Sequence, residues 1–444
     1  MSVLIIFEQG NLSNLFPIDA LTPTILLEIG INNFHDRWIE LFENENPDKS
    51  IETIIKVRDH LKSKYEYDED LEFNLFDSNQ RFKLCNYGDQ TSHTDIYIIN
   101  SSVYPDKNLV KDLRNEYSYS KLTVNGNDLC VKLSRKSIVD DFLSIPWIDY
   151  EYSSIKLFNR PWDLLNLTRV IIEDDILKIA NKSSIYRITT NPSYHTYIDG
   201  SSKIGNLNII NDNERLIFNC VGPGVVFDND DGSIYIGKNV IIEPNVYIKG
   251  PVMILDNCFI KSNTSLTGPL IIGSVCKIGG EVAESIFMGY SNKAHYGYVG
   301  CSIVGKWCNI GAGTTTSNLK NNYSNINYSL STKLTDNGLK YFNVSKPDKT
   351  DRKFFGSVIG DHTKIGINKS LMPGSCFGPV SCISDIKNWF VTSPFSWNDE
   401  RYDYDKAIET IQIMMKRRNI SMSGEEYQVL KNLYNLTIVD KLFD

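Results

Sequence analysis

The 444-residue chain has room for two or three domains at roughly 150 residues each. Its 41% hydrophobic and 23% charged residues are those of a globular protein, and 46 Lys+Arg against 54 Asp+Glu exclude a general nucleic-acid binder, which carries a basic excess. No apolar run approaches the roughly 18 residues a membrane span needs, so no membrane contact is expected.

In chain order, Met1–Glu8 lacks the basic region and cleavage site of a signal peptide and reads as a buried first strand. Across residues 1–190, Val3–Phe7, Ile51–Leu61, Asp95–Asn100, Leu109–Leu113 and Val170–Ile176 alternate as apolar strands and amphipathic stretches, which suggests an α/β domain. Ile96–Asn100 reads as a buried strand with a polar tip. The nine cysteines are odd in number and none is spaced Cys-x-x-Cys, which argues against a disulfide framework or zinc ribbon. Free thiols without an export signal point to a reducing cytoplasm.

From Ile236 an aliphatic residue recurs every six positions: Ile236, Ile242, Ile248, Ile254, Ile260, Leu266, Ile272 and Ile278. A second row follows four residues behind each of the first seven: Val240, Val246, Val252, Cys258, Thr264, Leu270 and Cys276. The register then shifts by two and resumes as Ile286, Tyr298, Val304 and Ile310, with Asn292 as a gap; a third stretch carries Ile359, Ile365, Leu371 and Phe377. This period is the hexapeptide signature of a parallel β-helix, in which three short strands make one triangular coil. Glycines following several of these residues (237, 273, 279, 305, 311, 360, 366) are expected to supply turn conformations. The coils span about residues 200–395, and the polar segment 319–357 reads as a loop ejected from one corner. The tail, 398–444, reads as helical, with Ser423-Gly424-Glu425-Glu426 spaced as a capping box, and such helices would cover the open end of the prism.

Only His295 and His362 of the six histidines lie in the coils, which does not supply the three imidazoles of a β-helix metal site. His295 falls between the positions taken as axial, Asn292 and Tyr298, so it need not point inward. Fourteen residues on, the run Asn309-Ile310-Gly311-Ala312-Gly313-Thr314 is small and hydroxylated, as suits close approach of a ligand to backbone N–H groups. A neutral imidazole there can take a proton from an amine or hydroxyl attacking a thioester, with N–H groups holding the oxyanion. Spacing alone leaves two readings of each: a β-helix corner needs small residues anyway, and His295 can be a surface histidine on a turn.

The run Ser291 to Asn318 resembles the acyltransferase half of the bifunctional N-acetylglucosamine-1-phosphate uridylyltransferase / glucosamine-1-phosphate acetyltransferase family. That family carries a pattern like S-K-A-G-H-L-T-Y-L-G, then N-I-G-A-G-T-x-T-x-N at the same interval. The match holds at Ser291, His295, Tyr298, Gly300, Asn309 to Thr314, Thr316 and Asn318. The resemblance implies a left-handed β-helix, His295 as general base, and Glu281, Tyr298, Asn309 and Asn318 around the acceptor sugar. It also implies Ala312 near the pantetheine, Ile367 where the family has a serine contacting coenzyme A, acetyl-coenzyme A as donor, and a homotrimer with its sites between prisms. The family lysine that contacts the sugar phosphate is Ala283 here, and the lysine near the histidine is displaced, with Asn292 in its place and Lys293 beside it. The acceptor is therefore open: a sugar phosphate, another amino sugar, or a hydroxyl acceptor.

Active pyrophosphorylases of this kind follow their first strand with a Gly-rich loop and a basic residue. Here the sequence is Phe7-Glu8-Gln9-Gly10, and Leu21-Thr22-Pro23 stands where a divergent bacterial branch has Thr-Arg-Pro. Arg160-Pro161-Trp162-Asp163 also resembles that branch, in which the Trp-Asp pair closes the α/β domain. Three functions follow. The first is a cytoplasmic acyltransferase acting on a sugar or sugar phosphate. The second is a sugar-1-phosphate nucleotidyltransferase using a nucleoside triphosphate, with Mg2+ only if that half is active. The third is a regulatory or scaffold subunit.

Overall fold

The computed structural model describes residues 2–8, 15–45, 51–65, 73–74, 83–84, 95–115, 119–124, 127–134, 149–151, 156–180, 185–189, 195–199, 208–212, 215–220, 222–335, 338–385, 391–398 and 400–437. The chain divides into two compact units. The first comprises 1–13, 22–27 and 32–159; the second comprises 14–21, 28–31 and 160–444.

The first unit holds a mixed six-stranded sheet. Its strands are β1 (Ser2–Phe7), β2 (Ile51–Lys56), β3 (Asp95–Asn100), β4 (Tyr119–Val124), β5 (Asn127–Ser134) and β6 (Asp149–Glu151), in the order β2-β1-β3-β5-β4-β6. β1 lies parallel to both β2 and β3, while β5 runs antiparallel to β3 and β4. The continuous apolar runs Leu4-Ile5-Ile6 and Ile96 to Ile99 are buried, as expected of strands covered on both faces. Helix α1 (Phe34–Glu45) buries Phe34, Trp38 and Phe42, and Phe34 stacks on Phe158 at 4.5 Å. Leu109–Leu113 lies in helix α2 (Lys107–Asn115).

Val170–Ile176 belongs to helix α3 (Pro161–Ile179), in the second unit. Pro161 starts it, and the Asp163 carboxylate accepts from the Arg160 N–H at 2.9 Å. Trp162 packs edge-on against Tyr328 and Phe355.

Most of the rest of the second unit is a parallel β-helix with three faces. At its start Ile185–Thr189 pairs antiparallel with His195–Asp199, and Asn208–Asp212, Arg215–Cys220 and Gly222–Asp228 form an antiparallel meander rather than the coils expected from about residue 200. Face 1 runs through Ile234–Ile236, Val252–Ile254, Leu270–Ile272, Ile286–Phe287, Ile303–Val304, Val358–Ile359 and Cys376–Phe377. Face 2 runs through Ile241–Ile242, Phe259–Ile260, Lys277–Ile278, Asn292–Lys293, Asn309–Ile310, Lys364–Ile365 and Cys382–Ile383. Face 3 runs through Tyr247–Lys249, Ser265–Thr267, Glu281–Ala283 and Tyr298–Gly300, and continues in the pair Thr315–Thr316 and Ser370–Leu371. Both six-residue rows up to Ile278 point inward and are buried, as are Ile359, Ile365, Leu371 and Phe377. Each such aliphatic contributes about 1.5–3 kcal/mol of burial.

The register differs from the expected one at Ile286, Asn292 and Tyr298 and rejoins it at Val304 and Ile310. In-register pairing sets Phe287 against Ile272, Lys293 against Ile278 and Val299 against Val282. The inward residues are therefore Phe287, Lys293 and Val299, and Ile286, Asn292 and Tyr298 lie on the outside of their strands. The coil shortens by a step of four from Ile278 to Val282 and a step of five from Val282 to Phe287. A second step of five, from Val299 to Val304, returns the row to the expected positions.

The glycines also act differently from expectation. Gly237, Gly273, Gly279, Gly305, Gly311, Gly360 and Gly366 are not among the residues with positive φ. A Cβ at Gly273 would lie 2.6 Å from the Gly289 nitrogen, and one at Gly311 would lie 2.5 Å from the Gly366 carbonyl carbon. These glycines let successive coils stack. In the first coils the left-handed corners are taken by Asn239, Asn245, Asn257 and Asn263, a residue type that tolerates that region, and further on by Val275, Tyr290, Trp307, His362 and Val380.

The inserted segment leaves after Thr316 and returns at Val358, and its strands Asn327–Thr335 and Gly338–Lys349 pair antiparallel. Ile326, Tyr328 and Phe355 bury its base. In the tail, helix α4 (Tyr404–Lys416) precedes helix α5 (Gly424–Leu436), whose Ser423–Glu426 capping box is formed as expected. Tyr404 and Tyr434 pack on Phe395 at the last coil. α4 does more than close that end: it lies over face 2, where Arg418, just beyond its C-terminus, donates to the Asn292 side chain at 2.9 Å.

Candidate functional site

The site is built on the corner between faces 2 and 3. There Ala294–Gly297 stacks beneath Gly311–Thr314, which stacks beneath Gly366–Lys369. The Gly313 N–H donates to the Tyr296 carbonyl at 2.9 Å, and the Asn368 N–H donates to the Ala312 carbonyl at 2.8 Å. His295 is exposed on the lowest of these corners. Ala312 is half-buried one coil on, and Ile367, one coil further, is 64% exposed. The structure thus brings His295, Ala312 and Ile367 into one column.

Gly313 sits at φ +74°, and a Cβ there would meet the Asn368 side-chain oxygen at 2.0 Å and the Tyr296 hydroxyl at 3.0 Å. Glycine therefore serves both the corner and the approach of Tyr296 to Asn368, which bond at 3.4 Å. Gly313→Ala is expected to lower the stability of the β-helix by roughly 1–2 kcal/mol, the cost of a left-handed non-glycine residue, measured by urea unfolding.

Glu281, Tyr298 and Asn318 meet on the face 3 side of the corner. Glu281 and Tyr298 are in-register partners, and the Asn318 amide donates to the Tyr298 hydroxyl at 3.0 Å. Burial first, then the Cys301 thiol and the Glu281 carboxylate, push the Tyr298 phenol up to about 12, so it stays a neutral hydroxyl. The same Asn318 amide contacts Cys301 at 3.4 Å, whose thiol burial and Glu284 hold up at about 11. The Asn318 carbonyl accepts from the Phe355 N–H at 2.9 Å, which ties this residue to the base of the inserted segment.

Asn309 is not with them. It lies exposed on face 2, between Asn292 and Lys364 in register. Within one chain the four expected acceptor residues are divided between two faces of the prism.

Sequence reasoning missed Lys293. Its side chain is 1% exposed inside the coil, and its ammonium donates to the carbonyls of Gly279 at 2.7 Å and His295 at 2.8 Å. Burial lowers it to about 8, partly opposed by Glu281. Gly280, at φ +79°, leaves its space: a Cβ there would approach the Lys293 nitrogen to 2.9 Å. The displaced lysine of the motif is thus an internal clamp on the corner that carries His295. His362 is buried in another corner, its ring parallel to Trp307 at 6.3 Å, and takes no part in the site.

In the first unit, Glu8 follows β1. Its carboxylate accepts from the Thr24 N–H at 2.6 Å and pairs with the Arg58 Nε at 3.0 Å. Gln9 and Gly10 lie outside the described residues. Among the described residues no group of three His, Cys, Asp or Glu side chains is placed to hold a metal ion, and no helix is long and apolar enough to cross a membrane.

Residues 4–184 match the family model described as sugar nucleotidyl transferase, and residues 233–268 match that of the bacterial transferase hexapeptide, six repeats. The chain is 32% identical over 139 residues to a bifunctional protein GlmU of Methanococcus maripaludis, covering 31% of this chain and 29% of that protein. It is 36% identical over 110 residues to one of Methanocaldococcus jannaschii, covering 24% of each. It is 31% identical over 183 residues to a bifunctional sugar-1-phosphate nucleotidylyltransferase/acetyltransferase of Sulfurisphaera tokodaii, covering 40% of this chain and 42% of that protein. The match spans about three tenths of the length of the first of these relatives. The chain carries a sugar nucleotidyl transferase-type region followed by transferase hexapeptide repeats.

Proposed function

We propose that this protein is a coenzyme A-dependent acyltransferase that moves an acetyl group from acetyl-coenzyme A to a sugar or sugar phosphate. The observation that carries the reading is the corner column, in which exposed His295 stands one coil below Ala312 and two below Ile367, with the Tyr298–Asn318 pair beside it. His295 takes the proton of the acceptor amine or hydroxyl as it attacks the thioester carbonyl. The carbon–sulfur bond then breaks, and the leaving sulfur takes the proton held by His295, so coenzyme A leaves as the thiol. Tyr298, Asn318 and Glu281 bind the acceptor, and the pantetheine runs along Ala312 and Ile367. Asn309 stands on a different face, so a homotrimer, with Asn309 of a neighbouring copy completing the acceptor site, fits the division. We place the enzyme in the cytoplasm and assign catalysis to residues 200–395, with 1–190 as the nucleotidyltransferase-like part and 398–444 as the tail.

The test is acetyl transfer by the full chain to a panel of amino sugars and sugar 1-phosphates, with calorimetry of coenzyme A. A protein that binds no coenzyme A and acetylates none of the panel is not this enzyme, and the scaffold reading takes its place.

A second activity, joining a sugar 1-phosphate to a nucleoside triphosphate, is favoured by the match of residues 4–184. Mg2+ belongs to that activity alone. Glu8 stands where a triphosphate loop would start and is already paired with Arg58, a donor set unlike one that cradles phosphate. Pyrophosphate release with a triphosphate panel tests it separately.

A further inference from the structure

The outward residues of face 2 form a column in register: Lys277, Asn292, Asn309 and Lys364. At the spacing of neighbouring strands, roughly 4.8 Å per rung, the two lysines lie about 14 Å apart with two amides between them. Arg417 and Arg418, at the end of α4, form the facing wall of a cavity of about 420 Å³. Four basic side chains line it, and no carboxylate is among its lining residues.

Arg418 turns toward Asn292 and orients that amide, leaving its NH2 group available to the cavity. Lys364 is held by the His362 carbonyl at 3.0 Å, and burial lowers its ammonium from the ordinary value, so Lys277, Arg417 and Arg418 carry most of the cleft's positive charge. Basic side chains converging on a concave space with amide groups and no carboxylate in its lining call for an anion with polar substituents.

We propose that this cleft binds the phosphate group of a small phosphorylated metabolite. The arginine pair faces the phosphate, and Asn292 and Asn309 donate to or accept from the attached body. The family position that meets a sugar phosphate is Ala283 here, on face 3, whereas the basic residues of this cleft stand on face 2 and at the end of α4. The cleft shares Asn309 with the acceptor site proposed above, but the proposal does not depend on His295 being a base.

The experiment reads the rate at which an amine-reactive reagent labels Lys277 in the full chain, by mass spectrometry. Lys277 is exposed and reports the cleft alone, whatever the first unit binds. The probes are inorganic phosphate, glucosamine 1-phosphate, coenzyme A, dephospho-coenzyme A and glucosamine. A phosphorylated probe is expected to slow labelling at least threefold, and glucosamine to leave it unchanged. Protection by glucosamine 1-phosphate identifies a sugar-borne phosphate; protection by coenzyme A but not its dephospho form identifies the 3′-phosphate of the donor. Arg417→Gln, at an exposed position, should abolish the protection while leaving the melting temperature unchanged, and His295→Ala should keep it. No protection by any phosphorylated probe, equal protection by glucosamine, or protection that survives Arg417→Gln would overturn the proposal.

Discussion

His295→Ala is expected to slow acetyl transfer by roughly 10²–10⁴-fold, the usual contribution of a general base. The loss should fall on kcat. The side chain is exposed and holds up no part of the core, so the variant should fold and bind coenzyme A as the parent does. The backbone of the corner is fixed independently of the imidazole, by the Gly313–Tyr296 bond above and the Lys293 ammonium on the His295 carbonyl. A loss confined to kcat therefore reports chemistry. His295→Gln keeps a polar side chain of similar reach without the same basicity and should fall as far as alanine. Any pyrophosphate release by the first unit should be untouched in both variants. An alanine variant as fast as the parent makes His295 a surface histidine on a turn, and the acceptor residues on face 3 would then need another base.

The β-helix was legible because each strand sends one side chain to the axis, and a six-residue period of aliphatics has few other physical causes. The register was lost where that economy fails. Face 1 carries apolar residues on both sides: Met253, Ile271, Ile286 and Ile303 point outward yet are buried, and α3 packs on this face at Leu270–Ile272. Ile286 and Phe287 were therefore equally good axial candidates, and the five-residue step that selects Phe287 leaves no mark in composition. At Asn292–Lys293 the rule that charged residues stay outside gave the wrong answer, because two backbone carbonyls solvate the ammonium inside. The corner glycines were correctly located, but a sequence does not distinguish a glycine needed for a left-handed turn from one needed for close stacking. The division of Asn309 from Tyr298 and Asn318 follows from the fold alone, since residues one or two strands apart in sequence lie on different faces of a triangular coil. The tail helices were legible from the capping box; that α4 turns back over face 2 was not.

The buried lysine yields the second large effect. The ordinary value for its ammonium is 10.5, and burial lowers it to about 8 in the folded protein. Below pH 8 both folded and unfolded chains carry the proton, and the fold bears the full cost of a desolvated charge. Between about 8 and 10.5 the unfolded chain holds more protons than the folded one, so raising the pH favours folding. Above 10.5 both are neutral and the cost is gone. The lowered value thus corresponds to about 3 kcal/mol of destabilisation at neutral pH, relieved through that window. Lys293→Met removes the titration while filling nearly the same volume, though it leaves the Gly279 and His295 carbonyls without their ammonium donor. Whatever the net difference between the two proteins at pH 7, it should shift in favour of the parent by about 3 kcal/mol between pH 7.5 and 10.5. Other thiols and phenols titrate alike in both and cancel in the comparison. Parallel urea-unfolding curves across that range would mean that the ammonium is solvated in the coil as well as in water. The Gly279 and His295 carbonyls would then offset the whole cost of burying the charge.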